Sequence, residues 1–286
     1  MLGVFLALAV LPALAPGKTV TLAPGTYDLV VIRGQTFAPP VTIEAGSATV
    51  RGIRIWDSKG IVWRGGVVTA PGGTMAPDGS PGRGPFYYGA DVRRSDGVTF
   101  DGTRFTDAVR GAAIANSRNI IVRNCEFTGL RSDGINLPGS SLALVENNRF
   151  NKFSPIKPTG SKAEGNWKDG DHPDAIQMWT TKSNPRMTDI TIRGNTIEGD
   201  TQGINTFGPH GEGYARITVE NNDVRILYPA AISVLQCDGC SVRGNQIASL
   251  PGARFTTNVR FDRSTGVSCG NTMAAAPSHK ATARCK

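Results

Sequence analysis

The sequence predicts an all-β solenoid, because one short pattern recurs at a nearly constant spacing and the composition disfavours helices. Each copy has six positions. They are an apolar residue, a charged residue, Asn or Gly, a fourth residue that is usually Asn, a polar residue and an apolar residue. The copies begin at Val122, Val145, Ile192, Val219 and Val242. Their spacings are 23, 47, 27 and 23 residues, and the longest holds two turns. A period in the twenties with β-type residues is typical of a solenoid. The 35 glycines, without dominant Leu, Lys or Glu, favour the same class.

A second line of apolar, polar and apolar residues precedes the Asn motifs and predicts eight stacked rungs. It occupies residues 52–55, 89–92, 111–114, 134–137, 175–178, 203–206, 231–234 and 258–261. Strand side chains alternate between faces, so the middle residue of each line is expected to point outward. The predicted outward column is Arg54, Asp91, Ala113, Asn136, Gln177, Asn205, Ser233 and Arg260. A second column, three residues earlier, is Arg51, Tyr88, Arg110, Asp133, Asp174, Gln202, Ala230 and Thr257. The row between them is mostly Gly and Ala, which predicts a shallow track along the coil.

The Asn of each repeat is expected to point inward. Amide side chains stacked in register form hydrogen-bonded ladders, so we interpret these residues as structural rather than functional. Cys125 takes the place of an Asn in this series. It is therefore expected to be buried and unreactive.

The N-terminal segment and the cysteines predict a secreted or periplasmic protein. Residues 1–16 resemble a signal peptide, since an apolar run ends in Ala-Leu-Ala. The run is too short to span a bilayer, and no other membrane span is predicted. Residues 17–272 would form the solenoid and residues 273–286 a basic tail. Cys269 and Cys285 are candidates to join that tail to the last turn, while Cys237 and Cys240 form a local disulfide or two free thiols. We expect a monomer.

The charge balance favours an anionic polymer as partner. The formal net charge is +8, of which Lys280, Arg284 and Lys286 in the tail contribute three. The sequence contains no RNA-binding signature, zinc-finger spacing or recognition helix, which argues against nucleic acid. An acidic polysaccharide is therefore the expected partner, with a merely soluble basic surface as the alternative.

Two insertions interrupt the period, at residues 70–88 and 151–171. Both enter just before an outward line, so both are expected to flank the same track. Long loops on a rigid scaffold are where function concentrates. A solenoid also tolerates insertions that have no function, so each of the two could be decoration.

Four segments carry a resemblance to a known family. They are GKTVTLAPGTYDLVVIRG at 17–34, NIIVRNCEF at 119–127, DGINL at 133–137 and ITVENNDV at 217–224. Over residues 17–272 the chain resembles the pectate-lyase-like superfamily, and its entry turns resemble the chondroitinase B and alginate lyase group. The resemblance implies a single-stranded right-handed parallel β-helix of about eight or more rungs, secretion, a groove along the first parallel sheet and often Ca²⁺. It does not specify the activity, because the fold hosts lyases, hydrolases and epimerases.

Two sets of family motifs depart from this resemblance. The Asn-Thr-Asp, Asp-Asp, His-Gly and Arg-Ile-Lys set of polygalacturonases is absent. The Asp-Pro-His-Asp motif of alginate epimerases is also absent, although residues 171–174 read Asp-His-Pro-Asp. The activity of either group therefore does not carry over as a whole.

The densest polar cluster, residues 169–177, closes the second insertion and enters an outward line. It favours β-elimination on a uronate, which needs a group to neutralise the carboxylate, a base for the C5 proton and an acid for the leaving oxygen. The candidate catalytic residues are His172, Asp174, Lys168 and Arg131, with His172 as the base. The candidate substrate-binding residues are Asn136, Gln177, Asn205, Gln202, Arg110, Tyr88, Trp179 and His210. Tyr88 is also an alternative base or acid. The candidate Ca²⁺ ligands are Asp133, Asp171 and Asp174.

Three other functions remain open at this point. In a glycoside hydrolase, Asp133 and Asp174 would form the carboxylate pair, although adjacent rungs lie closer together than an inverting pair usually does. A C5-epimerase would share the base and the neutralising group but release no chain ends. A binding solenoid would retain polymer without cleaving it. The concentration of polar residues on one rung favours an enzyme over a binder.

Overall fold

The computed structural model describes residues 11–70, 88–208, 212–274 and 285. The predicted insertion at 70–88, most of the basic tail and the start of the predicted signal peptide lie outside these residues. The strands, in chain order, are β1 Thr19–Thr21, β2 Thr26–Tyr27, β3 Val30–Arg33, β4 Thr36–Val50, β5 Ile53–Trp56, β6 Lys59–Thr69, β7 Tyr88–Arg93, β8 Asp96–Asp101, β9 Arg104–Thr106, β10 Arg110–Ala115, β11 Arg118–Arg123, β12 Glu126–Thr128, β13 Ile135–Asn136, β14 Ser141–Glu146, β15 Arg149–Asn151, β16 Asp174–Trp179, β17 Met187–Arg193, β18 Thr196–Gly199, β19 Gln202–Phe207, β20 Tyr214–Glu220, β21 Asp223–Ile226, β22 Ala230–Leu235, β23 Cys237–Asp238, β24 Cys240–Arg243, β25 Gln246–Ser249, β26 Asn258–Asp262, β27 Gly266–Cys269 and β28 Thr272–Ala274.

The strands form a right-handed parallel β-helix, as predicted. One sheet has nine strands in the order β3, β5, β7, β10, β13, β16, β19, β22 and β26, so each strand pairs with its equivalent one turn later. We call this the nine-stranded sheet. The other nineteen strands form the second sheet, which completes the wall of the coil. All the ladders in both sheets are parallel, and a single apolar core fills the space between them. In the part of the chain that the structure describes, no helix is long and apolar enough to span a membrane.

The register of the nine-stranded sheet matches the predicted outward column. Arg54 pairs with Asp91, and the series continues through every predicted member to Arg260. A ninth rung that the sequence patterns missed places Val31 beside Arg54. The expectation that the 47 residues from Val145 to Ile192 hold two turns is wrong, because Val145 pairs directly with Ile192 on the next turn. One shift occurs near the end, where Ala230 pairs with Asn258 and Ile232 with Val259. The second predicted column therefore ends at Asn258 rather than at Thr257.

The predicted Asn ladder runs along one inner corner of the coil. Asn148, Asn195, Asn222 and Asn245 each donate a side-chain hydrogen bond to the Asn of the next turn, over 2.8–3.0 Å. The oxygen of each acceptor also receives the backbone N–H of the preceding turn. Because all of these groups are buried, the ladder satisfies polar atoms that would otherwise carry a desolvation cost.

A serine ladder, which was not predicted, occupies another corner. Ser58, Ser95 and Ser117 each donate a backbone N–H to the serine hydroxyl one turn later, ending at Ser140. Cys125 begins the Asn ladder, since its backbone N–H donates to Asn148 at 2.9 Å. Burial raises the pKa of the Cys125 thiol to about 12, which keeps the thiol protonated. Disulfides join Cys237 to Cys240 and Cys269 to Cys285.

The row of small residues between the two outward columns is explained by inner packing. Phe105, Phe127 and Phe150 stack inside the coil with ring centroids 4.8 Å apart. A Cβ at Gly134 would lie 2.5 Å from the Ala175 carbonyl oxygen and 2.7 Å from the Phe150 ring. Gly111 is confined in the same way. The expectation that these small residues open an external track is therefore wrong, because their Cβ positions face the core and the next rung.

We expect Asn222→Ala to lower the free energy of unfolding by about 2–4 kcal/mol, because the buried backbone N–H of Asn195 loses its acceptor and the side chains of Asn195 and Asn245 each lose one hydrogen bond. Asn221→Gly is the matched control. Asn221 has φ +55° and Gly244 holds the equivalent position one turn later, so this change should cost less than about 0.5 kcal/mol. Chemical denaturation of both variants measures the difference. Equal stability of the two would contradict a stabilising role for the ladder.

Candidate functional site

Two buried aspartates on adjacent rungs lie at the centre of the nine-stranded sheet. Asp174 begins β16, and Asp133 precedes β13 by two residues. Their exposed fractions are 0% and 1%. The backbone N–H of Asp174 donates to Asp133 Oδ1 at 3.1 Å, which ties the two rungs together. Because parallel neighbours lie about 4.8 Å apart, the fold stacks one carboxyl group on the other.

The carboxyl group of Asp133 is held by a cation and an amide. Arg110 Nε lies 2.8 Å from Asp133 Oδ2, and Asn136 Nδ2 donates to the same oxygen at 3.1 Å. Asn136 also donates to Gln177 Oε1 at 2.6 Å and accepts the indole N–H of Trp179 at 3.0 Å. Asn136 therefore links the buried acid to two side chains of the next rung.

The carboxyl group of Asp174 is held by amides alone. Gln177 Nε2 donates to its Oδ2 at 2.8 Å, and Asn205 Nδ2 donates to its Oδ1 at 2.7 Å. The side-chain oxygen of Asn205 is buried and has no hydrogen-bond partner. An exchange of the Asn205 oxygen and nitrogen would let a protonated Asp174 donate to that oxygen. Both amides thus donate to the carboxyl group and lower its pKa, whereas an exchanged Asn205 would favour the neutral acid.

Burial raises the pKa of both carboxyl groups. The pKa of Asp174 is raised well above its usual range, first by burial and then by the neighbouring Asp133 carboxylate. The pKa of Asp133 is raised by burial, while Arg110 works in the opposite direction. Because Arg110 opposes the rise at Asp133, Asp174 is the more readily protonated member of the pair.

A partly exposed rim, formed by Tyr88, Arg110, Gln177, Trp179 and Gln202, covers the two acids. Arg110 keeps 30% of its side chain exposed and lies 5.9 Å from the centroid of the Tyr88 ring. Tyr88 and Arg110 pair in register, and Gln177, Trp179 and Gln202 are also partly exposed. Asn136 and Asn205, in contrast, are 3% and 0% exposed. The surface that a ligand meets is therefore the rim, with the two asparagines beneath it.

The second insertion places its candidate residues differently. Arg131 Nε lies 3.0 Å from Asp171 Oδ2, which also accepts the backbone N–H of Ile156, so this pair closes the base of the loop. His172 is 70% exposed, and its Nε2 lies 3.3 Å from Asp169. Lys168 is exposed and pairs by its backbone with Thr159. His210 lies outside the described residues.

The three candidate Ca²⁺ ligands do not form a metal site. Asp171 is bound to Arg131, Asp133 to Arg110, and Asp174 to two amide donors. Ca²⁺ needs several oxygen ligands directed at one point, and within the described ranges no group of three or more acidic, His or Cys residues converges in this way.

Trp179 was a candidate from the sequence, but the outward column to which it belongs was not predicted. It lies two residues beyond the first column and includes Arg33, Trp56 and Arg93 on one side, and Trp179 and Phe207 on the other. The signal was available, because the alternation that puts Gln177 outside also puts Trp179 outside. These residues are partly or fully exposed, so they add aromatic and cationic surface along the same sheet.

We expect Asp174→Asn to raise the thermal midpoint at pH 8 and to change it little near pH 4. A raised pKa means that the folded state binds a proton that the unfolded state releases, so this group's stabilisation is lost as the pH rises from the ordinary value of 3.8 through the folded pKa. An asparagine cannot ionise, and its amide can donate to Asn205. The gain should be several degrees, since about 1 kcal/mol shifts Tm by roughly 2–4 °C at this size.

Asp189→Asn is the control of opposite sign. Hydrogen bonding to Arg216 lowers the pKa of Asp189 to about 2, so its stabilisation is present above 3.8 and lost as the pH falls. Its φ of +60° suits asparagine. This variant should show no gain at pH 8. Melting curves at both pH values measure the difference, and a lower midpoint for Asp174→Asn at pH 8 would refute the protonated state.

Three solved structures illustrate what the chain is similar to. The surface adhesin PfbA of Streptococcus pneumoniae aligns with 91% of this chain and 70% of its own, at 13% identity and a TM-score of 0.52. A tailspike protein of E. coli bacteriophage HK620 in complex with a pentasaccharide aligns at 15% identity and a TM-score of 0.49, over 89% of this chain and half of its own. An alginate lyase from Paenibacillus aligns at 12% identity and a TM-score of 0.44, over 86% of this chain and 99% of its own. At these identities the likeness concerns the fold alone.

No protein of curated function matches the sequence. A family profile described as the right-handed β-helix region matches residues 41–247, which is most of the chain. This match agrees with the parallel ladders, the inner Asn ladder and the stacked outward columns. The chain therefore belongs to the right-handed β-helix family.

Proposed function

We propose that this protein cleaves an acidic polysaccharide by β-elimination on the outer face of the nine-stranded sheet. One observation carries the proposal: the guanidinium of Arg110 is anchored 2.8 Å from a buried carboxylate, stays partly exposed and lies beside Tyr88. A fixed cation next to a phenol is the minimum that the elimination of a uronate requires.

The reaction removes the C5 proton of a uronate and breaks the bond between C4 and the glycosidic oxygen. The electrons of the C5–H bond form the C4=C5 double bond, and the departing oxygen takes a proton. The C5 proton becomes acidic only when the charge of the adjacent carboxylate is neutralised, and a preorganised cation or hydrogen-bond donor supplies that effect. A side chain that accepts and returns protons completes the cycle.

The residues of the rim divide these tasks. Arg110 neutralises the substrate carboxylate, and Asp133 acts as a positioning residue that fixes the guanidinium from below. Tyr88, beside Arg110, transfers the proton. Gln177 contributes a partly exposed amide, oriented by Asn136 and Asp174. Trp179, oriented by its bond to Asn136, offers a ring on which a sugar can pack.

The setting supports an extracellular polymer as substrate. The chain carries a formal net charge of +8, which attracts acidic polysaccharides. The two disulfides suit an oxidising compartment, so we propose that the protein acts outside the cytosol. A continuous row of outward side chains along nine rungs suits a linear polymer better than a small molecule.

A glycoside hydrolase is the second candidate, and one observation favours it. Burial and the Asp133 carboxyl raise the pKa of Asp174, while Arg110 opposes the rise at Asp133, and two carboxyl groups with divided pKa values are what hydrolysis uses. Both carboxyl groups are nevertheless buried beneath amides, at 0% and 1% exposure. Neither carboxyl reaches a glycosidic oxygen until Gln177 or Asn136 moves, so elimination at the rim is the better supported reaction.

A binding protein is the non-enzymatic alternative. The structure of PfbA is that of a surface adhesin, and it shares this fold. Such a protein would retain polysaccharide and leave its chain length unchanged. The buried pair argues for an enzyme, because two stacked acids cost stability that simple binding to the exposed rim does not require.

Incubation of the purified protein with alginate, pectate and glycosaminoglycans tests the proposal. A lyase produces an unsaturated end that absorbs in the ultraviolet, a hydrolase produces reducing ends without that absorbance, and an epimerase produces neither. We expect absorbance to rise with at least one of these polymers. Reducing ends without absorbance would replace elimination by hydrolysis, and retention without new ends would leave a binding protein or a C5-epimerase.

Variants of the rim assign the roles. We expect Arg110→Ala and Tyr88→Phe each to lower kcat by about 100-fold or more, since each removes one transition-state function. Arg118→Ala, an exposed arginine on the second sheet, is the control and should leave kcat unchanged. His172→Ala separates the two candidate bases. Full activity of Tyr88→Phe with loss in His172→Ala would transfer the base to the histidine.

A further inference from the structure

A cluster of arginines surrounds one tryptophan at the N-terminal end of the nine-stranded sheet. The guanidinium carbons of Arg33, Arg54 and Arg93 lie 5.6, 5.4 and 5.4 Å from the centroid of the Trp56 ring. Arg33 and Arg93 pair with Trp56 from the two adjacent strands, and Arg54 precedes it by two residues on the same face. Three consecutive rungs therefore contribute to one cationic surface, which we call the Trp56 patch.

The Trp56 patch carries an excess of positive charge. Asp91 accepts from Arg93 at 2.7 Å, and Asp57 accepts from the neighbouring Arg94 at 2.6 Å. Within the described ranges, Arg33, Arg93 and Arg94 thus face two carboxylates, one from each of these ion pairs. Arg33 is exposed, and Arg93 keeps 45% of its side chain exposed. The excess charge is consequently open to an anion from solution.

Trp56 serves this patch as a platform. The indole N–H of Trp56 is buried and has no hydrogen-bond partner, so a hydrogen bond from this group does not hold the ring in place. Guanidinium groups over an indole ring are attracted by its π electrons, and they lose little freedom when an anion then binds. The ring therefore preorganises the arginines, and the paired N–H donors of their planar guanidinium groups match the spacing of carboxylate and sulfate oxygens.

The position of the patch relates it to the site around Asp133 and Asp174. Arg54 and Gln177 belong to the same outward column and are four rungs apart. At about 4.8 Å a rung, this separation is roughly 19 Å along the sheet. Trp56 and Trp179 occupy equivalent places two residues further on. A linear polymer that lies along the face at Trp179 would reach the patch several sugars away.

We propose that the Trp56 patch, centred two rungs from the strand of Arg110, is an anion-binding subsite that holds a carboxylate- or sulfate-bearing sugar of the polymer. The ligand chemistry follows from the excess of guanidinium over carboxylate and from the exposure of Arg33 and Arg93. The link to a cleaved polymer rests on the function proposed above, whereas the binding of an anionic sugar does not. The subsite adds affinity for long chains and takes no part in bond cleavage.

The test is the binding of two oligosaccharide probes to the full chain, each long enough to span six rungs. One probe is an oligouronate, which carries carboxylates alone, and the other is a heparin oligosaccharide, which also carries sulfates. We expect Arg33→Ala with Arg54→Ala to weaken the binding of at least one probe about tenfold, since each exposed charge contact contributes up to about 1 kcal/mol. The probe that loses more identifies the anion.

Two further variants keep the result interpretable. Arg104→Ala with Arg118→Ala removes the same charge from exposed positions on the second sheet and should change affinity less than about twofold. Arg33→Lys with Arg54→Lys keeps the charge and should bind both probes better than the alanine pair. Unchanged binding in the alanine pair, an equal loss in the second-sheet pair, or an equal loss in the lysine pair would each overturn the subsite.

Ultraviolet absorbance followed in parallel separates this inference from the proposed function. If no polymer is cleaved but the alanine pair still loses affinity, the subsite stands and the lyase does not. If polymer is cleaved and the alanine pair binds and cleaves long chains like the unaltered protein, the lyase stands and the subsite does not.

Discussion

The spacing of the rungs is the constraint on which the rest of this molecule depends. A parallel coil brings each residue to about 4.8 Å from its equivalent one turn away, so equivalent positions of successive turns contact one another. Side chains that attract or satisfy their copies therefore accumulate, as in the amide ladder from Asn148 to Asn271 and in the stacked rings of Phe105, Phe127 and Phe150. The core therefore consists of columns of equivalent side chains that run along the axis of the coil.

The same spacing makes the pair of acids at the centre of the nine-stranded sheet unfavourable for the stability of the fold. Like charges that stack on adjacent strands destabilise a sheet, and burial adds a desolvation cost. Asp133 and Asp174 are accommodated because Arg110 lies 2.8 Å from one carboxyl group and two amides donate to the other. An apolar pair of similar volume would avoid this desolvation cost. The two carboxyl groups in turn anchor Arg110 and Gln177 above them.

The extent to which the sequence predicted the structure follows from the same constraint. Alternation and period are local properties, so the column from Arg54 to Arg260 and the inward asparagines were correctly placed. The exposure of a side chain depends on its neighbours on other rungs. The burial of Asn136 and Asn205 was therefore not foreseen, and neither was the inward role of Gly134. Residues 151–171 leave the repeat, so no register predicted that His172 would lie beside Asp169.

The outer face is not uniform along the coil, and this asymmetry has a physical consequence. Its first rungs present the guanidiniums around Trp56, its middle rungs hold neutral amides over a buried carboxylate, and its last described rung carries Arg260 paired with Asp262. Among the described residues of this face, positive charge is therefore densest at the N-terminal end and sparse over the acids, where Arg110 is paired with Asp133. For the polyanion proposed as ligand, this uneven charge places the strongest attraction on the N-terminal side of Arg110.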